Sequence, residues 1–318
     1  MKRVLVTGAT GFIGRNSLPV LRRTGYEVHA VSGSPTTQDA DGVIHWHCAN
    51  LLKPDEVVAL VQKVKPSHLL HLAWYAIPGK FWTASENLDW VQATVGLMRV
   101  FHEQGGQRFV GAGSCAEYDW AFEHYQETST PCRPATLYGA AKYSTQLLLD
   151  AWSRQTGMSS AWGRVFFLYG PGEYPSRLVP SVINSLLNGE PALCTHGKQV
   201  RDFMHVEDVA AAFVALLDSD LQGVVNIASG APLPLKDVIY TIADQLGRRE
   251  LVQLGAILPN AADPAALIAD IGRLRDEVGF RPRYSLKDGI ALTIEPMKIS
   301  KLSQHELHNK CTAFGRRS

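Results

Sequence analysis

Tyr138 and Lys142, in the run Tyr138-Gly139-Ala140-Ala141-Lys142, are the residues of this chain whose types and spacing most directly offer chemistry. On a helix, positions i and i+4 share one face, which brings the ammonium toward the phenol. A phenol titrates near pH ~10 in water, so a neighbouring cation is what makes it a usable acid or base at neutral pH. Ser114, upstream, adds a hydroxyl that could hold the same substrate oxygen. The bland alternative is a surface tyrosine and lysine on an amphipathic helix. It loses ground to the run Gly8-Ala9-Thr10-Gly11-Phe12-Ile13-Gly14 near the amino terminus. Glycines between a strand and a helix allow a tight turn and close backbone approach, and the helix N-terminus favours a pyrophosphate. Proton transfer beside a bound dinucleotide is the chemistry this combination implies.

The elements that must position these residues alternate. Val4-Leu5-Val6 reads as a strand, about Phe12 to Arg23 as a helix, Val28 to Val31 as a second strand and Val43 to Trp46 as a third. A helix over Pro54 to Val64, a buried strand over Ser67 to Ala73 and a long helix from about Ser85 to Gln104 follow. Arg108 to Ala112 is the next strand, then the helix of Tyr138 and Lys142, then a strand near Ala161 to Phe167. Such alternation predicts a parallel sheet with helices on both faces, because parallel strands need crossover connections. After Tyr169-Gly170-Pro171-Gly172 the texture changes, with prolines punctuating short elements. A dinucleotide-binding domain over 1–170 is therefore expected, with a smaller domain over 171–204 and 231–295. Glu207 to Asp218 and Val224 to Ile227 return the chain to the first domain around 205–230. The polar, basic tail at 296–318 is expected to be loose.

The 318 residues suffice for a sizeable core, and 46% hydrophobic with 19% charged residues describes an ordinary globular protein. A formal net charge of +1, from 31 basic and 30 acidic residues, argues against nucleic acid or an anionic membrane as the main partner. No apolar run approaches the ~20 residues of a membrane span and no signal peptide fits the first residues. Five scattered cysteines read as reduced thiols of a cytoplasmic protein. His45 and His47 alternate along a strand without a third ligand, so no metal is expected there.

The second strand ends in Ser32-Gly33-Ser34, without the carboxylate that holds the adenosine ribose of NAD. Its serines could donate to a 2′-phosphate and Arg15 could add charge, so NADP(H) is favoured while NAD(H) stays open. Asn50 reads either as an adenine contact or as a turn residue. Trp74, Tyr75, Phe81 and Trp82 form an aromatic loop at a strand end, read as a sugar-facing wall, a packed lid or a subunit contact.

These residues resemble the extended short-chain dehydrogenase/reductase family, in its nucleotide-sugar epimerase/dehydratase branch. The resemblance runs from Gly8 to about Gly289. It rests on the glycine loop, His71-Leu72-Ala73, Asn87, Ser114 four residues before Tyr118, and Tyr138-x-x-x-Lys142. Arg164 to Pro171 and Arg201-Asp202-Phe203 to Val209 continue it. It implies a Rossmann-type doubly wound α/β fold with a smaller C-terminal substrate-binding domain, and a homodimer through the long helix and the Tyr138 helix. It implies Ser114, Tyr138 and Lys142 as the catalytic residues. Gly8, Thr10, Gly11, Phe12, Ile13, Gly14, Arg15, Ser32, Asn50, Leu51, Leu72, Ala73, Trp74 and Phe166 would join Tyr138 and Lys142 around the cofactor. A nucleotide-diphosphate sugar would meet Trp74, Tyr75, Ser114, Arg177, Val179 and Arg201. The two arginines suit its diphosphate because a guanidinium presents a planar fork of donors. Arg177 reads equally as a solvated helix residue.

Dehydratases of the family carry an Asp-Glu pair just after the active-site hydroxyl, where this chain has Cys115 and Ala116. Enzymes that epimerise beside a ketone and then reduce it carry a cysteine at the place of Ala116. Plain hydride chemistry remains. The expectation is NADPH-dependent reduction of a nucleotide-linked 4-keto-6-deoxy sugar, with Tyr138 as general acid. The alternative is an NAD-dependent epimerase that oxidises and re-reduces C4. A non-catalytic dinucleotide sensor is disfavoured because both Tyr138 and Lys142 are present.

Overall fold

The computed structural model describes residues 2–35, 42–260 and 263–314. In chain order the elements begin with β1 (Arg3–Thr7), α1 (Phe12–Arg23), β2 (Glu27–Ser32), β3 (His45–Cys48), α2 (Pro54–Val64), β4 (His68–His71), α3 (Glu86–Glu103) and β5 (Arg108–Ser114). They continue with β6 (His124–Tyr125), α4 (Leu137–Thr156), β7 (Ser159–Val165), β8 (Phe167–Tyr169), α5 (Leu178–Leu187), β9 (Ala192–Cys194), β10 (Val200–Arg201) and β11 (Phe203–His205). The last are α6 (Val206–Asp218), β12 (Gly223–Ile227), β13 (Leu233–Pro234), α7 (Leu235–Leu246), β14 (Val252–Leu254), β15 (Ala266–Ala269) and α8 (Leu286–Phe314).

The fold is α/β, of Rossmann type. Its sheet has seven parallel strands in the order β12-β7-β5-β4-β1-β2-β3. Alternation along β1 divides the core: Val4 and Val6 pack with Leu18, Leu21 and Phe213 of α1 and α6, while Leu5 packs on the opposite face with α2 and α3. Both faces are covered, as a parallel sheet requires. The strand order reverses between β1 and β4, and the crevice beyond their carboxyl ends is where such sheets take ligands.

Local sequence explains the helix limits. In α1, Ser17, Leu18 and Leu21 form a buried stripe, and Arg22 and Arg23 in the last turn complement the helix dipole. Pro54 opens α2 with Asp55 and Glu56 behind it, and α2 closes on Lys65 in the left-handed region, φ 46°. The Thr136 hydroxyl accepts the Gly139 N–H to cap α4, which ends on left-handed Gly157.

Two compact units result. The first contains Met1–Leu168, Val200–Pro232 and Pro264–Arg283; the second contains Tyr169–Gln199, Leu233–Asp263 and Tyr284–Ser318. Three expectations need correction. Residues 264–283 belong to the first unit rather than the second, because β15 pairs with β6 and with β10. The third strand is His45–Cys48, two residues later than hydrophobicity placed it, since the register sets His45 opposite His29. Residues 296–314, expected to be loose, continue α8 through Pro296; residues 315–318, the end of that tail, lie outside the described residues. No described helix is long and apolar enough to cross a membrane.

Candidate active site

At the carboxyl end of β1 the chain turns at Gly8, φ 65°, and the Gly11 N–H donates to the Gly8 carbonyl at 2.9 Å. A Cβ on Gly14 would sit 2.1 Å from that carbonyl oxygen, and one on Gly8 would sit 2.7 Å from Ala73 N. Glycine is therefore required to press the loop against both α1 and the end of β4. No side chain caps α1 and its first turn carries no acid, so its leading N–H groups suit an anion. The cradle fits a dinucleotide pyrophosphate.

The remaining cofactor candidates surround this end of the sheet. Thr10 is exposed and Phe12 and Ile13 are half-buried, with the Arg15 guanidinium 5.3 Å from the Phe12 ring centroid. Ser32 is buried and its hydroxyl accepts the Ser34 N–H at 3.3 Å; among the described residues Ser32, Gly33 and Ser34 this strand end offers no carboxylate. Asn50 caps its own turn, its Oδ1 accepting from Leu52 N at 3.0 Å, which matches the turn reading. Leu51, Ala73 and Phe166 are buried, and Leu72 packs against the core. Thr7 accepts the Ala73 N–H at 3.3 Å and bonds His71 Nδ1 at 2.8 Å, while His71 Nε2 lies 3.0 Å from Thr94 Oγ1. Burial and the Lys142 charge hold His71 far below the usual histidine range, at about 3, so it is neutral and structural.

The chemistry-bearing residues gather at the ends of β5 and α4. Ser114 starts a single 3₁₀ turn, Cys115–Glu117, and its hydroxyl accepts the Ala116 N–H at 3.2 Å. Glu117 reaches back so that Oε1 accepts from Ser114 N at 2.8 Å and from Trp162 Nε1 at 2.9 Å, and Oε2 from Arg164 Nε at 2.7 Å. Glu117 is fully buried, and this network holds Ser114 in place. A Cβ on Gly139 would lie 2.2 Å from the Ala116 carbonyl oxygen, so the glycine after Tyr138 is what seats α4 against that turn.

Lys142 is buried; its Nζ donates to the Ala112 carbonyl at 2.7 Å and lies 3.8 Å from the Trp74 ring centroid. Burial pulls its pKa down to about 7, and Glu117 pulls the other way. Tyr138 is half-buried, its ring edge-on to Phe81 at 4.7 Å and to Trp82 at 5.8 Å between centroids. The aromatic loop is thus partly a packed wall on Tyr138. Trp74 Nε1 donates to Asn87 Oδ1 at 2.9 Å, and Asn87 Nδ2 donates to the carbonyls of Phe81 and Ala84 at 2.8 Å, pinning the loop to α3. Tyr75 is half-buried in the same loop. Cys115 is buried and its thiol is pushed up to about 12, which makes it an inert packing residue.

Of the candidate sugar and diphosphate residues, Trp74, Tyr75, Ser114 and Arg201 belong to the first unit. Arg201 is 2% exposed, its guanidinium donating to the carbonyls of Val200 at 2.8 Å and Pro264 at 2.7 Å. Arg177 and Val179 belong to the second unit, where Val179 is buried and Arg177 Nε lies 3.6 Å from Glu173. Burial raises the Glu173 carboxyl to about 7 against the pull of Arg177. Glu117 stands one step beyond the positions of the dehydratase pair, so its place in the sequence assigns it no role. Only the pairing of β5 with β7, which brings up Trp162 and Arg164, reveals its part.

A family model described as the NAD dependent epimerase/dehydratase family matches residues 4–228. The chain belongs to that family. Its members are enzymes of the extended short-chain dehydrogenase/reductase type that act on nucleotide sugars. UDP-glucuronic acid decarboxylase 1 of Danio rerio is 26% identical over 327 residues, covering 97% of this chain and 75% of that relative. The dTDP-4-dehydro-6-deoxyglucose reductase of Escherichia coli is 24% identical over 318 residues, covering 93% and 97%. Among solved structures, MoeE5 in complex with UDP-glucuronic acid and NAD superposes with a TM-score of 0.81 at 30% identity, covering 94% of this chain and 99% of MoeE5. Within the family, a nicotinamide dinucleotide is the cofactor class of this member.

Proposed function

We propose that this enzyme exchanges hydride at C4 of a nucleotide-diphosphate sugar, in the net direction of reducing a 4-keto-6-deoxy sugar to its alcohol. The observation that carries this reading is an intact Ser114, Tyr138 and Lys142 set beside a turn with no acid–base pair. Cys115 and Ala116 cannot remove water, and the carboxylate of Glu117 is committed to Ser114 N, Trp162 and Arg164. The nicotinamide, when bound, supplies or accepts the hydride at C4. Tyr138 gives its phenolic proton to the C4 oxygen, and Ser114 holds that oxygen. Lys142, whose charged form Glu117 favours against the larger pull of burial, lowers in that form the cost of the phenolate left behind. Trp74, in contact with Lys142, walls the sugar side.

NADP(H) is the proposed dinucleotide, supported by the absence of a carboxylate among Ser32, Gly33 and Ser34. A second reading, C4 epimerisation with a retained NAD, draws support from the family description and from the NAD bound to MoeE5. We also propose a cytoplasmic homodimer through α3 and α4; exposed Leu88 on α3 and Leu147 and Leu148 on α4 support that contact.

The test mixes the purified protein with 4-keto-6-deoxy nucleotide sugars and NADPH or NADH, following nicotinamide absorbance and sugar product together. Stoichiometric oxidation of NADPH is expected. Interconversion of UDP-glucose or UDP-glucuronic acid isomers without added dinucleotide would establish the epimerase instead, and inactivity with every sugar would reject both. Ser32→Asp is expected to move the NADPH/NADH preference at least tenfold toward NADH, read as the ratio of kcat/KM values.

A further inference from the structure

The sheet edge formed by β2 and β3 carries side chains that the hydride chemistry does not use. His29 pairs with His45 and Val31 with His47 in parallel register, so Glu27, His29, His45 and His47 share one face. The His29 ring stacks on His45 at 4.8 Å and on His47 at 5.1 Å between centroids. His29 Nε2 lies 2.9 Å from Glu27 Oε1, and its Nδ1 lies 2.9 Å from His47 Nε2. One ligand atom from each of Glu27, His29 and His45 falls within 4.8 Å of the others. His29 is buried, Glu27 half-buried and His45 exposed, so the group opens to solvent on one side.

We propose that Glu27, His29 and His45 form a binding site for a divalent transition-metal ion of the Zn2+ class. Bonds of about 2.0–2.2 Å in tetrahedral geometry separate ligand atoms by roughly 3.4 Å, which small side-chain rotations reach from the present arrangement. Two imidazoles and one carboxylate suit Zn2+ and its neighbours, whereas Mg2+ and Ca2+ prefer oxygen ligands alone. With His29 Nε2 on the ion, its Nδ1–H donates to His47 Nε2, which fixes the ring and its tautomer. Arg3 Nε donates to Glu27 Oε1 at 2.9 Å and its Nη1 to the Val64 carbonyl at 2.8 Å, so the carboxylate is steadied through one oxygen and Oε2 remains as a ligand. Glu27 opens β2 and Ser32 closes it, so the site lies toward the amino-terminal end of the strands, away from the glycine loop. Its effect would be to fasten the edge strand β3 to β2.

The test treats the full-length protein with EDTA, removes the chelator, and titrates with Co2+ by visible absorption and with Zn2+ by calorimetry. One equivalent per chain is expected, with the absorption bands of four-coordinate Co2+, displaced by Zn2+. His45→Gln, a change at an exposed edge position, and Glu27→Gln are each expected to weaken binding at least tenfold, with unaltered circular dichroism. Absence of saturable binding of either ion at millimolar concentration would overturn the site. So would a Zn2+ affinity unchanged in a folded His45→Gln protein.

Discussion

Tyr138 and Lys142 differ in what surrounds them, and their roles differ accordingly. Tyr138, half-buried between aromatic rings, is the group we propose to meet the substrate oxygen; Lys142 is buried and is proposed to act on it through charge. Tyr138→Phe is expected to lower kcat by at least 10²-fold, the usual scale of general acid catalysis, while the dissociation constant for the dinucleotide changes less than threefold. Fluorescence titration beside steady-state rates separates the two, and normal turnover would remove Tyr138 from the mechanism. Lys142 also leaves a mark on stability. Its pKa is about 7 when folded and near ~10.4 when unfolded, so between those values the unfolded chain alone holds the proton. Stability should therefore rise with pH from 7, by up to about 1.4 kcal/mol per pH unit. Above pH 9 the raised thiol of Cys115 opposes the trend. Urea unfolding of the wild type and of Lys142→Met at pH 7 to 9 checks this, and equal slopes would contradict the assignment. The places of Tyr138, Lys142 and the glycines at helix and strand ends were legible in the sequence because they depend on local spacing. Glu117 was not, because Trp162 and Arg164 lie far along the chain and reach it only through strand pairing.

Strand ends and helix ends divide the labour among the elements. The carboxyl ends of β1, β4 and β5 hold the glycine loop, Ala73 and Ser114, while their amino ends serve stability. Arg108, first residue of β5, shows the second role: its guanidinium donates to the carbonyls of Leu216, Leu217 and Leu221 around the end of α6. A buried cation there satisfies carbonyls that the helix cannot and complements its dipole. Arg108→Leu is expected to lower the unfolding free energy by about 3 kcal/mol, measured by urea denaturation, with dinucleotide affinity unchanged. A loss below about 0.5 kcal/mol would contradict that role. The limits of α2 could be read closely from the sequence, where Pro54 opens the helix through a local preference. The third strand could not, because Val43 and Ile44 supply the hydrophobicity while pairing with β2 sets the register at His45.

For the molecule as a whole, the alternating elements were enough to indicate a doubly wound sheet. The division into units was harder to read. Residues 264–283 enter the first unit through a four-residue strand, β15, whose partners in β6 and β10 are distant in sequence. Arg201 and Arg177 show the same limit. Both are arginines in suggestive motifs, yet one is held by backbone carbonyls and the other lies beside Glu173 in the second unit. The proposed function rests on hydride exchange at C4, and isotope transfer measures it most directly. The protein, loaded with a dinucleotide deuterated at the reactive nicotinamide carbon, is given a 4-keto-6-deoxy nucleotide sugar for a single turnover. One deuterium at C4 of the product, located by NMR, is the expected result, and Tyr138→Phe should yield almost none. A sugar product without deuterium at C4, or a 4-keto sugar left unchanged, would contradict the account.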